Sequence, residues 1–423
     1  MKKSTLQIIL SFLFIFLANA SFSQFSIQGE LRPRFEYRDG YKRLPDTTTN
    51  FAAFVSQRSR LILNYKNEKI TTKISFQDAR VWGDEALKTD VPGVGIYEAW
   101  AEIPVIDSIS LKLGKQEIVY DNERLLSNCP WSQIGSTHTA AMLKYFKKGL
   151  QIDFTGAFNQ SSENTFGTDY TAFPNNYKTL NILWISKKFT SDFKVSLLGI
   201  ADGYQKVNTK STVYLRGTYG AIIDYTKANK YSAVVRGFYQ DGRLQTGQQI
   251  GAYYASADLT YSLTEKFTLW AGMQYSSGDD ATKKHTYSNA FNTLYGSGHR
   301  FSGNMDYFSS ISTATKGAGL VDPYLNLIYK FNDKASTRLD IHYLMLQNNY
   351  VVNTSAIKKA LGEEADLSFT YNFSKEVSLM AGFSVNDATK SMEVIVGGDS
   401  QYFGGWGFVM LTIKPNFFTS DKK

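Results

Sequence analysis

Arginine and glutamate recur at every second position in the segment GELRPRFEYRDG, which begins at Gly29. The guanidinium group of arginine is planar, stays charged at every working pH and binds a carboxylate through two parallel hydrogen bonds. A row of such groups is therefore suited to binding anions, and carboxylates above all. The charged residues of this row are Glu30, Arg32, Arg34, Glu36 and Arg38.

Later segments with the same alternation add further charged residues to this face. The basic ones are Arg58, Arg60, Lys73, Lys112, Arg216, Arg236 and Arg338. The acidic ones and one histidine are Glu98, Glu102, Asp258, Asp340, His342, Glu364 and Asp366. Two interpretations stay open: ladders of Arg and Glu across neighbouring strands would brace a wall, whereas an arginine-lined constriction would raise the local concentration of anions.

Patterns typical of metal sites and of hydrolases are weak in this chain. The four histidines are scattered and Cys129 is the single cysteine, so we expect neither a metal site nor a cofactor. A catalytic triad needs a serine, a histidine and an orienting acid or amide in fixed positions. The nearest candidate, His299 with Ser302, Asn304 and Asp306, lies in a long loop. We therefore do not expect an enzyme.

The elements that would hold the charged residues are strands with one apolar and one polar face. Alternating segments such as FTLWAGMQYSS, which begins at Phe267, recur along the chain, separated in turn by short polar turns and by long loops. We predict the all-β class: a transmembrane antiparallel β-barrel of about 18 strands, with short periplasmic turns and long extracellular loops. A soluble sandwich or propeller is disfavoured, because no blade-length repeat is visible.

In such a barrel Phe35 and Tyr37 would face lipid, and the charged face would line a water-filled lumen. A Lys or Arg on the lipid face costs about 2–4 kcal/mol at the bilayer midplane. Pro33 has no amide hydrogen and is expected to mark a bulge. Aromatic rings at strand ends are expected at the two membrane interfaces; they are Tyr37, Tyr65, Trp100, Tyr120, Tyr145, Trp184, Tyr225, Tyr261, Tyr275, Tyr329, Tyr371 and Trp406.

The N-terminal residues 1–24 have the pattern of a secretory signal peptide. Lys2 and Lys3 precede the apolar block LQIILSFLFIFL, and small residues follow it, so cleavage is expected near residues 20–24. Residues 25–423 are then expected to form a single outer-membrane barrel domain in a Gram-negative-type bacterium. The net charge of +8 includes no run of Lys and Arg, and nucleic acid is not an expected partner.

Several stretches resemble the alginate-export family of eighteen-stranded outer-membrane channels. They are RSRLIL from Arg58, QDARVWGDE from Gln77, LGKQEIVYDNERLL from Leu113, WSQIG from Trp131, LYGSGHRFSGNMDYF from Leu294 and GLVDPYLNL from Gly319. The resemblance implies a monomeric barrel whose basic lumen passes an acidic polysaccharide or other small anions. By position, the residues that match its polar motifs are Arg58, Arg60, Arg80, Gln116 and Arg124, and Lys115 stands where these relatives more often carry Arg.

The expected function is passive passage of anionic solutes, including an acidic oligo- or polysaccharide such as alginate. The expected partners are these solutes, membrane lipid, lipopolysaccharide and, during insertion, the barrel-assembly machinery. A porin or receptor barrel of different selectivity, with mainly structural lumen charges, is the alternative, and a barrel-embedded enzyme is a weaker one. Loop 277–319 is long enough to fold inward, and the segment Thr354 to Glu364 is expected to include a short helix.

Overall fold

The computed structural model describes residues 23–89, 91, 93–170, 176–206, 212–228 and 230–420. Eighteen antiparallel strands pair in chain order, and the last pairs with the first, so the described sheet closes into a barrel. In order, β1 to β18 are Gln24–Asp39, Ala52–Lys66, Thr71–Val81, Gly95–Ile106, Ile109–Gln116, His138–Lys147, Leu150–Phe158, Thr179–Lys188, Phe193–Gln205, Val213–Lys227, Tyr231–Gly242, Ala252–Ser262, Phe267–Ser276, Leu320–Lys330, Ala335–Leu346, Ala360–Asn372, Val377–Ala388 and Gly404–Ile413.

Short turns lie at one rim of the barrel and longer connections at the other. The connection between β4 and β5 has only Asp107 and Ser108, whereas residues 277–319 separate β13 from β14. This alternation confirms the predicted fold class and the predicted strand number. In outer-membrane barrels the short turns are periplasmic and the long loops are extracellular, and we use these names for the two rims.

The outer face of the barrel is apolar and exposed, as the alternation predicts. On β1, Leu31 is 39% and Phe35 44% exposed, whereas Arg32 is 6% and Glu36 0% exposed. Unpaired strand edges are absent from the described barrel wall because the sheet closes on itself, so the backbone groups are satisfied within the wall. No helix in the described part of the chain combines the length and the apolar composition needed to cross a membrane.

Pro33 does not mark a bulge, so this expectation is wrong. The register between β1 and β2 runs without a shift through the pair Pro33 and Gln57. On its other side, β1 pairs with β18 at Leu31 and again from Arg34 onward, and the two residues between have no partner there. The proline is tolerated because its missing amide hydrogen falls in this interruption.

Two long loops fold into the barrel and pack against its inner wall. We call residues 117–137 inner loop 1 and residues 277–319 inner loop 2. They pair with each other through a bridge between Leu126 and Tyr295, and each contributes to a cluster of fully buried apolar side chains, as Leu126 and Phe308 illustrate. Inner loop 2 contains the short helix α1 (Ile311–Ala314), and a second helix, α2 (Lys390–Val396), follows β17.

Two other predictions are decided by the described residues. Thr354 to Glu364 contains no helix: Ser355–Ala356 forms a two-residue strand, and β16 begins at Ala360. Four aromatic residues expected at the interface lie inside the barrel instead, where each donates a hydrogen bond to an internal carboxylate: Trp100, Tyr120, Trp184 and Trp406. The predicted signal peptide falls almost wholly on residues 1–22, outside the described ranges.

Adjacent residues of β2 test the assignment of the two faces. Leu61 is 43% exposed on the outer face, whereas Ile62 lines an internal cavity. We expect Leu61→Lys to lower the free energy of unfolding by about 2–4 kcal/mol, the cost of a lysine in hydrocarbon. Ile62→Lys, the matched control, should lower it by less than half as much. Denaturant titration of the barrel folded in lipid vesicles measures both, and equal losses would contradict the assignment.

Candidate functional site

The basic residues of the first three strands converge on one part of the lumen wall, which we call the basic wall. Its members are Arg32, Arg34, Arg38, Arg58, Arg60 and Lys73. The strand register sets their arrangement, because Arg32 lies directly opposite Arg58 and Glu30 directly opposite Arg60. Directly opposed residues of an antiparallel pair point to the same face. The alternation on β1 and β2 thus places like charges side by side.

Two glutamates neutralise part of the basic wall. Glu36 accepts from Arg34 at 2.9 Å and from Arg38 at 2.8 Å, and the indole of Trp406 donates to it at 3.1 Å. Glu30 accepts from Arg58 at 2.6 Å. Each carboxylate is thereby fully engaged inside the wall.

Arg32 is buried, and the structure describes no ion pair for it with a carboxylate. Its guanidinium donates to the carbonyls of Pro130 at 2.7 Å and Ser132 at 2.8 Å, and to the side-chain oxygen of Gln133 at 3.0 Å. Arg34 donates in the same way to the carbonyl of Trp131 at 2.6 Å. The arginines of β1 therefore hold inner loop 1 against the wall while keeping their positive charge.

A cavity of about 470 Å³ opens beside these arginines toward the periplasmic rim. Its charged lining is unbalanced, since five basic side chains face two carboxylates. The basic ones are Arg32, Arg58, Arg60, Lys73 and Lys414, and the acidic ones are Glu30 and Glu117. We call this space the basic cavity. It holds a surplus of positive charge in a confined space, which raises the local concentration of small anions.

A β-bulge adds an aromatic ring to the basic cavity. The register between β3 and β4 shifts after Ser75, so that Tyr97 and Glu98 both point inward. The guanidinium of Arg60 lies 3.6 Å from the centre of the Tyr97 ring. The stacked arginine is held in place by the ring without losing its charge.

Four predicted lumen residues lie on the neighbouring wall formed by β4 and β5. Glu98 is ion-paired with Lys73, and Lys112 lies 3.9 Å from the ring centre of Trp100. Glu102 accepts from Lys144 of β6 at 3.1 Å. Gln116 is fully buried and donates to the carbonyl of Ala140 at 3.0 Å. All four side chains lie on the inner side of the wall.

On the far wall, from β9 to β16, the remaining predicted arginines each have a carboxylate partner. Arg216 is paired with Asp202, Arg236 with Asp258, and Arg338 with Asp340, the last at 2.6 Å. These pairs match the bracing-ladder interpretation. The predicted arginines of the far wall are therefore each paired with a carboxylate, unlike Arg32 of the basic wall.

Two residues predicted for the lumen lie on the outer face instead. Arg80 is opposite Gln57, in the outward set of β3 that includes Ile74, and it is ion-paired with Asp78 at 2.6 Å and Glu85 at 3.1 Å. Both carboxylates are close to the extracellular rim, where charge is tolerated. The prediction for Arg80 is therefore wrong.

Lys115 is the second correction. It is opposite Ala99, between the inward residues Glu98 and Trp100, and so it shares the outer face with Leu113. Its amine donates to the carbonyl of Ile96 at 2.7 Å. The family motif had placed Arg80 and Lys115 in the lumen. The alternation of inward and outward side chains along each strand places both on the outer face.

Arg124 belongs to inner loop 1 and is 2% exposed. Its guanidinium lies 4.5 Å from the ring centre of Phe301 and 5.2 Å from that of Tyr254. Two of its nitrogens, Nε and Nη2, have no hydrogen-bond partner among the described residues. It faces the interior, but it lies apart from the basic wall.

Sequence reasoning missed three residues of the site. Lys414 directly follows β18 and continues the inward alternation of Phe408 and Met410, which was a sufficient signal. Glu117 and Gln133 lie in inner loop 1, where no periodicity indicates which side chains face the cavity.

Comparison with known proteins gives a likeness of structure. No protein-family model matches the chain, and no curated protein matches it. OccAB1 of Acinetobacter baumannii is 13% identical with a TM-score of 0.62, over 94% of this chain and 97% of that one. OccK9 (OpdG) of Pseudomonas aeruginosa is 12% identical with a TM-score of 0.61, over 93% and 98%. OpdK of Pseudomonas aeruginosa, solved with vanillate, is 10% identical with a TM-score of 0.60, over 92% and 99%.

These identities show the fold and leave the family open. One of these solved proteins, OpdK, is described as an outer membrane protein. The shared fold confirms the predicted barrel, and the closed wall with its exposed apolar outer face is that of an outer-membrane protein. The resemblance to the alginate-export family is consistent with this barrel, and the comparisons support it no further than the fold.

The anchoring role of Arg32 can be tested on inner loop 1. We expect Arg32→Met to remove the contacts to Pro130 and Ser132 and to lower the opening free energy of the loop by about 1.5–3 kcal/mol, the value of a hydrogen bond to a charged group. Hydrogen exchange of residues 128–134 should accelerate accordingly. Arg38→Met is the matched control, since Arg38 binds Glu36 and not the loop. Unchanged exchange in Arg32→Met would contradict the role.

Proposed function

We propose that this chain is an outer-membrane channel for passive passage of small solutes, with a preference for anions. The observation that carries the proposal is the basic cavity, where five basic side chains face two carboxylates. A confined positive field raises the local concentration of anions and the rate at which they enter. The chemistry this site supports is binding and release, and we propose that the protein is not an enzyme.

Carboxylated solutes are the proposed substrate class. Arg60 and Arg58 present guanidinium groups to the cavity, and such groups match the geometry of a carboxylate. OpdK, which shares the fold, was solved with vanillate, itself a carboxylate. The acidic saccharide implied by the alginate-export resemblance belongs to the same chemical class, and alginate is one proposal within it.

We further propose that the channel is a monomer in lipid and lipopolysaccharide, inserted by the barrel-assembly machinery. Exposed apolar side chains occur on strands all around the barrel, for example Phe35, Leu183, Leu259 and Phe383. The described wall closes without a strand from a second chain. Both observations support a single barrel surrounded by lipid.

A receptor barrel with a blocked lumen is the second candidate function. The two inner loops favour it, because they pack fully buried apolar side chains inside the barrel, as Leu126 and Phe291 show. Planar-bilayer recordings separate the candidates. Steady conductance of the purified protein supports the channel, and its absence supports the receptor.

Selectivity can be tested by removing charge from the basic cavity without releasing inner loop 1. We expect the double variant Arg60→Gln and Lys414→Gln to lower the ratio of anion to cation permeability by about twofold or more, since confined charge sets local ion concentration. The reversal potential in a potassium chloride gradient measures this ratio.

Lys375→Gln, on an exposed periplasmic turn, is the control and should leave the ratio unchanged. The preference should also weaken between about 0.1 and 1 M salt, as the Debye length falls from about 10 to about 3 Å. A wild-type preference for cations would overturn the anion proposal while leaving the channel intact.

A further inference from the structure

The strands β16 and β17 carry a cluster of buried oxygen atoms on the lumen side. Glu364 lies directly opposite Asn386, and Asp366 directly opposite Ser384. Directly opposed side chains of an antiparallel pair lie about 4.5–5.5 Å apart at Cβ and point to one face. The four residues are between 0% and 7% exposed.

Each of these side chains has an oxygen without a hydrogen-bond partner in the described part of the molecule. The atoms are Glu364 Oε2, Asp366 Oδ1, Ser384 Oγ and Asn386 Oδ1. The amide of Asn386 is fixed in orientation because its nitrogen donates to the carbonyl of Glu363 at 3.1 Å. A buried polar atom without a partner costs about 1–3 kcal/mol, and more when it carries charge. The two carboxylate oxygens and the amide oxygen are acceptors only, and a bound cation or a shared proton would satisfy them.

No basic side chain of the described structure supplies this charge by ion pairing. The neighbouring carboxylates Asp322 and Asp340 are paired with His342 and Arg338, and no described ion pair includes Glu364 or Asp366. In this they differ from Glu30, Glu36 and Glu98 of the basic wall. Two unpaired carboxylates in one buried cluster are unfavourable unless a cation or a proton joins them.

We propose that Glu364, Asp366, Ser384 and Asn386 form a binding site for a hard divalent cation, with Ca²⁺ as the fitting ion. Carboxylate, amide and hydroxyl oxygens are ligands of Ca²⁺, which accepts irregular geometry. Mg²⁺ retains several waters and demands an octahedron, and a cluster this buried has little room for them. Transition metals favour nitrogen and sulfur ligands. The described residues contain no group of three or more His, Cys, Asp or Glu side chains that could hold a metal ion. The proposed site has two carboxylate ligands, and the neutral side chains of Ser384 and Asn386 supply the other two.

The site lies directly behind inner loop 2 and joins it to the wall. The other oxygen of each carboxylate accepts from this loop: Glu364 Oε1 from the amide of Met305 at 2.7 Å, and Asp366 Oδ2 from the amide of Asn304 at 3.1 Å. Gly303 has φ +89°, and a Cβ there would collide with the Glu364 carboxylate. A bound cation would keep both carboxylates charged and oriented toward these amides, and would thereby hold inner loop 2 inside the lumen. The inference does not depend on the anion preference of the channel.

Calcium titration of the full-length barrel in detergent, followed by calorimetry, tests the site. We expect the wild type to bind one Ca²⁺ at this site and Glu364→Gln to bind it about 10- to 100-fold more weakly or not at all, the loss that follows when a metal site is disturbed. Glu363→Gln is the matched control: this neighbour is exposed on the outer face, and its loss should leave the affinity unchanged. Asn386→Leu, which keeps both carboxylates, should also weaken binding.

Hydrogen exchange gives the second readout. Calcium should slow exchange of residues 303–306 in the wild type and in Glu363→Gln, and it should have no effect in Glu364→Gln. Heat-modifiable migration on gels verifies that each variant has folded. Absence of Ca²⁺ binding in the folded wild type would overturn the proposal, with the carboxylates then sharing a proton. Equal Ca²⁺ affinity in the wild type and in Glu364→Gln would overturn it as well.

Discussion

The lumen of this barrel depends on how the buried guanidinium groups of β1 are satisfied. Arg32 and Arg34 cannot face lipid, and both bind main-chain carbonyls of residues 130–132. Arg34 is also paired with Glu36, whereas the structure describes no carboxylate partner for Arg32. A carbonyl satisfies hydrogen bonds without neutralising charge, whereas a carboxylate does both. Inner loop 1 is therefore fixed by the same side chains that leave the wall positive, and this one interaction sets both the shape and the potential of the basic cavity.

On the far wall, buried arginines are satisfied by carboxylates instead of main-chain carbonyls. Arg216, Arg236 and Arg338 each have an aspartate partner from their own or an adjacent strand, so these arginines brace the wall and contribute little net field. Pairing of buried charges contributes modestly to stability, but the loss of one partner is costly. The lumen is consequently asymmetric: the predicted arginines of the far wall are each paired with a carboxylate, whereas basic side chains outnumber carboxylates around the basic cavity.

Inner loop 2 is held to the wall by hydrogen bonds from its main-chain amides to carboxylates. Its amides donate to Glu364 and Asp366, as the carbonyls of inner loop 1 accept from arginines. The two loops then meet each other through Leu126 and Tyr295 and bury apolar side chains between them. Because His299 stacks on Trp131 at 4.2 Å, the loops form one packed unit. A change at either anchor is expected to reach the other through this unit, which links the charge of the wall to the opening of the lumen.

The sequence by itself determined the features that depend on the alternation of polar and apolar residues along each strand. Strict alternation predicted the closed eighteen-strand barrel, the outward position of Phe35, and the inward position of Arg34, Arg58 and Arg236. The same alternation, followed in place of the family motif, would also have placed Arg80 and Lys115 on the outer face and Lys414 on the inner face. Only the tertiary structure decided which charges pair, that Gln133 contacts Arg32, and that Glu364 and Asp366 take part in no ion pair among the described residues. The reason is physical. The face on which a side chain lies depends only on its position along its own strand. These contacts, in contrast, join loops and strands that are far apart in the chain and come together only when the whole barrel closes.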